Sequence, residues 1–296
     1  MPSPVTRLRD RRLVVVTGKG GVGKTAVAAA LASGLVGVGR RVLLLEVDPR
    51  ESAHQLLDVP PSAGELVHVG AGLYLQNLSP RRVMDEVVRE RLRLEVLVRR
   101  VLASPVYEHF AGGAPGLKEL ALLGHAWRVL HGYAAPATPR VDTVVLDAPA
   151  TGHGVSLLRA PALVAEVIRT GPFARMASHI MALVGGADSC GVVVVTTAQE
   201  MPVQEALELL EMLPASVQRP ADLVVANAVL APLAPNAPAE DPAARTWQRW
   251  YAAQQRELER LAGAWAGPVV TLPLLPLAPG RRLVEELRRS LEEAAE

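Results

Sequence analysis

The chain has 296 residues, of which 50% are hydrophobic and only 3% aromatic, and its net charge is +1. A charge this close to zero gives no electrostatic case for a nucleic-acid partner, and the single cysteine, Cys190, excludes an internal disulfide and a cysteine-only metal site. No apolar segment is long enough for a signal peptide or a membrane span, so the sequence predicts a cytoplasmic protein with at most peripheral membrane contact.

Short apolar runs bounded by turn residues predict buried parallel strands. Such runs occur at 13–17, 42–48, 73–78, 143–149, 191–197, 222–229 and 268–274. Helical patterns lie between them, at 24–38, 81–102, 117–130, 154–184, 203–213, 243–261 and 281–293. Alternation of this kind predicts an α/β fold with a doubly wound, mainly parallel sheet.

Two long helical regions interrupt this alternation. No strand pattern occurs between Leu78 and Thr143, and the sequence after Asp147 is again mostly helical. We therefore interpret residues 1–296 as a single domain in which a helical subdomain, formed by 79–140 and 154–186, is inserted over the sheet.

A glycine-rich segment joins the first strand to the first helix. Its sequence, GKGGVGKT at 18–25, fits the phosphate-binding pattern G-x-x-x-x-G-K-[ST]. The glycines allow backbone N–H groups to turn toward phosphate oxygens, and the helix N-terminus adds a partial positive charge. Lys24 would reach the β- and γ-phosphates and Thr25 would bind Mg²⁺. The sequence thus predicts ATP and Mg²⁺ as cofactors, held by Gly18, Gly20, Gly21, Val22, Gly23, Lys24, Thr25 and Ala26.

The same loop contains a second lysine that the phosphate-binding pattern does not require. Only three of the 31 basic residues are lysines, namely Lys19, Lys24 and Lys118. Lys19 is therefore either a solvated cation in the loop or a group with a separate chemical role.

Two aspartates stand at the ends of predicted strands. Asp48 closes the run VLLLEVD, and Asp147 closes TVVLD. The carboxyl ends of the strands in an open parallel sheet face the ligand crevice, so both carboxylates are expected near the glycine-rich loop. The alternative is that each aspartate only caps the turn that follows it.

These segments resemble one family of nucleotide-dependent switches. GKGGVGKT is similar to the deviant Walker A loop of the ATPases that include MinD, ParA, nitrogenase iron protein and the ArsA-like ATPases. DAPATGHGVSLLRAP (147–161) resembles switch II of the ArsA-like family, DPRES (48–52) its switch I, and PGLKEL (115–120) its P-G-x-x-E element. That family includes arsenite-pump ATPases and the ATPase that targets tail-anchored proteins.

The resemblance implies catalytic roles that the residue pattern alone does not give. Lys19 would reach across a dimer interface and neutralise charge on the partner's γ-phosphate, as an arginine finger does elsewhere. Asp48 would orient the attacking water and, with Thr25 and Asp147, belong to the magnesium site. Gly152 would let switch II move when the γ-phosphate is lost.

The resemblance also implies a site for the base. Asn227 matches the adenine-reading asparagine of the family, although it could instead cap the end of its strand. Pro273 lies in the segment 272–280, which resembles the loop beside the base.

The chain departs from the family pattern at two places. Arg50 and Glu51 replace the usual Ala-His of switch I, which leaves the geometry around Asp48 open. The interfacial C-x-x-C zinc site is absent, and one cysteine cannot supply the several thiolates that arsenite activation needs.

Three functional hypotheses remain at this point. The leading one is a dimeric, ATP-hydrolysing switch, either a homodimer or a heterodimer with a paralogous subunit, that couples closure to binding of a client protein with an apolar helix. Apolar residues at helical spacing in 80–102 and 161–184 fit such a client groove, but they fit ordinary core packing as well. The alternatives are a heterodimer subunit that holds ATP without hydrolysing it, and a positioning ATPase similar to ParA or MinD.

Overall fold

A computed structural model describes residues 2–47, 51–92, 94–105, 107, 116–133, 138–149, 154–186, 188–234 and 241–294. Among these residues, eight strands form one sheet in the order β3-β4-β2-β5-β1-β6-β7-β8. Their bounds are β1 (Leu13–Gly18), β2 (Val42–Glu46), β3 (Val67–Gly70), β4 (Leu73–Asn77), β5 (Thr143–Asp147), β6 (Cys190–Thr197), β7 (Leu223–Val229) and β8 (Val269–Pro273).

Helices connect these strands along the chain. They are α1 (Pro4–Leu8), α2 (Lys24–Gly37), α3 (Ala53–Leu56), α4 (Pro80–Arg91), α5 (Glu95–Leu102), α6 (Leu117–Leu130), α7 (Gly154–Val167), α8 (Pro172–Gly185), α9 (Glu200–Val217), α10 (Pro242–Ala264) and α11 (Arg281–Glu293). All of the strand pairs are parallel except β3 with β4. The predicted α/β class, with a mainly parallel sheet, is confirmed.

The central strands are continuous apolar runs because both faces of the sheet are covered. All five residues of β2 and all five of β5 are buried. One face packs against α4 and α6–α10 in a single core cluster that includes Leu13, Val15 and Leu43. The opposite face packs against α1, α2, α3 and α11 around Val14, Val16 and Leu44. Alternate residues of each strand thus serve opposite faces, as the two-residue period requires.

The helices of the inserted region share their core with the sheet. Apolar residues of α6, α7 and α8 belong to the same cluster as the strand residues of that face. The division into a sheet domain and a helical subdomain at 79–140 and 154–186 therefore stays a prediction.

Two elements were predicted as longer than they are. The helix expected over 81–102 is two helices, because the chain is extended at Leu92, where α4 ends, and at Leu94, which caps α5. The helix expected over 154–184 is interrupted between α7 and α8, where Gly171 has a φ of +91° and Pro172 opens the next helix. The edge strand β3 was not predicted, since it is short and contains Gly70.

None of the helices in the described ranges combines the length and the hydropathy needed to cross a bilayer.

A buried histidine links α6 to the sheet. Gln76 of β4 donates from Nε2 to the Gly64 carbonyl (3.0 Å) and turns its oxygen toward His125 Nε2, also at 3.0 Å. The ring nitrogen therefore acts as the donor. Burial, with a smaller contribution from the charge of Arg128, lowers the pKa of His125 from 6.5 to about 4.

This shift predicts a pH dependence of stability. Between pH 6.5 and about 4 the unfolded chain binds a proton at His125 that the native chain does not bind, so the free energy of unfolding falls as the pH falls. The loss should approach ~3 kcal/mol at pH 4. Urea unfolding of wild type and His125→Gln at several pH values measures it. The free energy of unfolding of wild type minus that of the variant should fall by this amount from pH 7 to pH 4, and a constant difference would contradict the expectation.

Candidate active site

The glycine-rich loop lies at the carboxyl end of β1, in the middle of the sheet. Gly18 has a φ of +144°, and a Cβ there would lie 2.1 Å from the Val195 carbonyl oxygen of β6. Gly23 has a φ of +88°, and its Cβ would lie 2.2 Å from Asn227 Nδ2. At Gly18 any other residue would require a backbone shift, and at Gly23 it would displace the Asn227 side chain and be strained by the positive φ, so both positions favour glycine.

The helix that follows the loop presents its N-terminus to the same place. The first backbone hydrogen bond of α2 runs from Val27 N–H to the Gly23 carbonyl (3.1 Å). The amides of Thr25 and Ala26 precede that bond and have no acceptor within the helix. A Cβ at Gly21 would meet nothing within 4 Å, so the loop opens onto space there. An open loop joined to a helix N-terminus has the chemistry of a phosphate site.

Lys24 brings a positive charge into this loop. Lys24 is only 6% exposed, and its Nζ donates a hydrogen bond to the Lys19 carbonyl at 2.9 Å. The ammonium group therefore lies against the backbone of the loop. An anion that enters the loop would meet this cation with little intervening water, which strengthens the attraction.

A hydroxyl and a carboxylate meet beside the lysine. Thr25 Oγ1 donates to Asp147 Oδ2 at 2.6 Å, and Asp147 is 5% exposed at the end of β5. The pairing of Val16 with Asp147 across β1 and β5 brings the carboxylate to the loop. Oxygen ligands of this kind are the ones that Mg²⁺ prefers, so the residues fit a magnesium ion bound with a triphosphate. No group of three or more histidine, cysteine or acidic residues in the described ranges would hold a metal by itself.

A buried glutamate holds the segment that follows Asp48. Glu46 Oε1 accepts hydrogen bonds from Ser52 N (2.7 Å), Ser52 Oγ (2.8 Å) and Ala53 N (3.0 Å), and Oε2 accepts one from Asn77 Nδ2 (3.2 Å). Glu46 is 1% exposed, and these donors compensate for its burial. The sequence analysis missed this role, although a carboxylate inside an apolar strand was a visible signal.

The side chain of the second lysine of the loop, Lys19, contacts a residue of a helix outside the loop. Lys19 Nζ lies 2.5 Å from Oε1 of Glu205, which is on α9, and the two side chains are 37% and 39% exposed. Sequence reasoning did not find Glu205, because its contact depends on the packing of α9 beside the loop.

Asn227, in β7, also contacts the glycine-rich loop. Its Nδ2 donates to the Val22 carbonyl at 2.9 Å. In this conformation the amide fixes the loop backbone, while its predicted role in reading adenine stays untested. Pro273 closes β8 and pairs with Val229 of the neighbouring strand.

The geometry joins most of the predicted residues but not all of them. The segment Gly18–Ala26, Asp147 and Asn227 meet at the carboxyl ends of the strands β1, β5 and β7. Asp48 and Gly152 lie outside the described residues, so their predicted roles rest on the sequence alone.

Comparison with known proteins gives the site its context. The pattern of the anion-transporting ATPase family matches residues 11–187. ATPase BagA of Mycobacterium tuberculosis is 31% identical over 227 residues, which cover 75% of this chain and 66% of that protein. The arsenical pump-driving ATPase of Acidiphilium multivorum is 28% identical over 286 residues, which cover 88% and 46%. ATPase GET3C of Arabidopsis thaliana is 28% identical over 170 residues, which cover 52% and 42%.

The matched segments thus span just under two thirds of the first relative and less than half of the other two. The family pattern covers more than half of this chain and includes the glycine-rich loop, Thr25 and Asp147. The chain belongs to the anion-transporting ATPase family.

Proposed function

We propose that this chain binds and hydrolyses ATP as a dimeric switch. The observation that carries the proposal is the different burial of the two lysines of one loop. Lys24 is directed inward and is 6% exposed, whereas the side chain of Lys19 is 37% exposed at the surface. In this proposal Lys24 serves the nucleotide of its own chain, and Lys19 serves the nucleotide of a second chain.

In this proposal the loop amides and Lys24 bind the β- and γ-phosphates, and Thr25 and Asp147 would hold the magnesium shell. When bound, the metal would neutralise charge that develops on the phosphate oxygens. Asp48 orients the attacking water, and Lys19 of the partner copy stabilises the charge on the transferred phosphoryl group. Positioning and electrostatics supply the catalysis, because the protein forms no covalent bond to phosphate.

The apolar surface of α5 supports a client with an apolar segment. Leu94, Val96, Leu97 and Val101 are 65%, 78%, 44% and 36% exposed. Val98 of the same helix is buried, so only part of its apolar face serves the core. A cavity of about 170 Å³ is lined mainly by apolar side chains of α4, α6 and α8, together with His125 and Arg128. Leu97 and Val101 are four residues apart and share one face of α5, and exposed apolar faces can mark interaction surfaces in proteins.

The inward lysine should be essential for binding. Replacing it in Lys24→Ala removes the cation that meets the phosphates, and we expect ATP affinity to fall at least a hundredfold, which corresponds to about 3 kcal/mol. Titration calorimetry with ATP and Mg²⁺ measures the change. Lys118→Ala, which removes the exposed lysine of α6, is the matched control and should bind as wild type does. Undiminished affinity in Lys24→Ala would remove the loop from the proposal.

The outward lysine should be essential for turnover only. We expect Lys19→Ala to bind ATP within about threefold of wild type and to lose roughly a hundredfold in phosphate release, as when one charge-stabilising group is removed. Lys118→Ala again serves as the control. Equal turnover in Lys19→Ala and wild type would rule out a role in trans. No turnover in wild type, alone or mixed with a paralogous chain, would instead favour a subunit that only holds ATP.

Replacing Asn227 tests whether its side chain supports the loop backbone or recognises adenine. Asn227→Ala removes the hydrogen bond to the Val22 carbonyl, worth about 1 kcal/mol. If the amide acts through the loop, ATP and GTP should both bind roughly fivefold more weakly. Affinities for the two nucleotides, measured in parallel, test this expectation. Weakening confined to ATP would show that the side chain reads adenine instead.

A further inference from the structure

The contact between Lys19 and Glu205 joins two elements that are far apart in sequence. Glu205 lies near the start of α9, which follows β6, and β6 pairs with β1 up to Gly18 and Val195. The N-terminal part of α9 is therefore beside the glycine-rich loop. The distance of 2.5 Å between Nζ and Oε1 is that of a direct ion pair.

The rest of the Lys19 residue is held independently of this pair. Its carbonyl accepts the hydrogen bond from Lys24 Nζ at 2.9 Å. Release of Glu205 would therefore free the side chain of Lys19 while its backbone stays in the loop. Because both charged side chains are more than a third exposed, a competing anion has access to the ammonium group.

An exposed apolar side chain lies on the same face of α9 as Glu205. Met201 stands one turn before Glu205 on α9 and is 59% exposed, and residues four apart share one face of a helix. The neighbouring polar residues make contacts of their own, since Gln204 donates to Glu208 Oε1 at 2.9 Å and also contacts Arg260. Of the two described glutamates Glu205 and Glu208, Glu205 is the one that forms an ion pair with the glycine-rich loop.

We propose that Glu205 is an internal counter-ion that keeps Lys19 within its own chain until the triphosphate of a second copy displaces it. This inference rests on the dimeric switch proposed above. In the proposed exchange the ammonium group leaves Glu205, which lies 2.5 Å from it in this conformation, when it reaches a phosphate on another chain. A triphosphate with its γ-phosphate carries more negative charge than a carboxylate, so the exchange favours the dimer while ATP is bound. Loss of the γ-phosphate removes the competing charge, and Lys19 returns to Glu205.

The exchange predicts how strongly Glu205 opposes dimer formation. A partly exposed ion pair contributes modestly, on the order of a threefold change in an equilibrium constant. Each dimer breaks two such pairs, one in each copy. The two effects multiply, so Glu205→Gln should tighten the dimer roughly tenfold.

Sedimentation of the full chain with Mg²⁺ and a non-hydrolysable ATP analogue measures the dimer dissociation constant. We expect it to be about tenfold lower for Glu205→Gln than for wild type, with faster phosphate release from ATP at protein concentrations below that constant. Glu208→Gln removes the same charge one turn further along α9, without touching Lys19. It should sediment as wild type does.

A double variant separates the counter-ion from a structural role of Glu205. If Glu205 acts through Lys19, then Lys19→Ala/Glu205→Gln should have the dimer constant and turnover of Lys19→Ala alone. Additive effects of the two changes would overturn the inference.

Different outcomes contradict the role of Glu205 as a counter-ion and the dimeric switch. A wild-type dimer whose dissociation constant is unchanged in Glu205→Gln would overturn the counter-ion and leave the switch intact. Weaker dimers in Glu205→Gln would show that the carboxylate assists Lys19 rather than restrains it, and would also overturn the inference. Monomers in both wild type and Glu205→Gln, with the analogue bound, would overturn the counter-ion and the dimeric switch together.

Discussion

The candidate site depends on one buried charge. Lys24 carries an ammonium group into a position that is 6% exposed, where an uncompensated cation would be strongly unfavourable. Its bond to the Lys19 carbonyl holds only if the loop follows the path set by Gly18 and Gly23. Any side chain at either glycine would meet β6 or Asn227. The tight packing of this loop thus keeps the cation available to a phosphate without the cost of moving it into place when the nucleotide binds.

Elements on both sides of β1 contribute to this arrangement. From β5, Asp147 contacts Thr25 at the start of α2. The second half of the sheet supplies Asn227 on the Val22 carbonyl and, through α9, Glu205 on Lys19. The family pattern ends at residue 187, so it contains the groups that would bind phosphate and metal but not these two contacts. The contacts that restrain the loop therefore come from the part of the chain that the family pattern does not cover.

Sequence analysis predicted the parts of the fold that depend on local pattern. The final helix, expected over 281–293, has those bounds in the structure, because apolar residues recur at helical spacing between Gly280 and the chain end. The break between α4 and α5 was missed, since the residues around Leu92 keep the composition of a helix while the backbone is extended. Tertiary context, not propensity, decides such a position.

The prediction of the site has the same limit. The glycines, Lys24, Thr25 and Asp147 form patterns that can be read along the chain, because a strand end and a helix start fix their neighbours. Glu205 has no such pattern. It acts through a partner that packing brings to it, and that partner is 186 residues away in sequence. A carboxylate on an exposed helix cannot be separated by sequence from an ordinary solvated one.

The choice of lysine in an arginine-rich chain follows from the contacts of Lys19. A lysine presents a compact charge on a flexible stem, and its ammonium group meets one oxygen of Glu205. An arginine at the same position could form two parallel hydrogen bonds with that carboxylate, which makes a stronger and more directional pair. Such a pair would hold the cation inside its own chain even when a phosphate approached. The proposed exchange of this charge between a carboxylate and a nucleotide therefore favours lysine, and the proposal gives a reason for Lys19 in a loop whose phosphate pattern needs only Lys24.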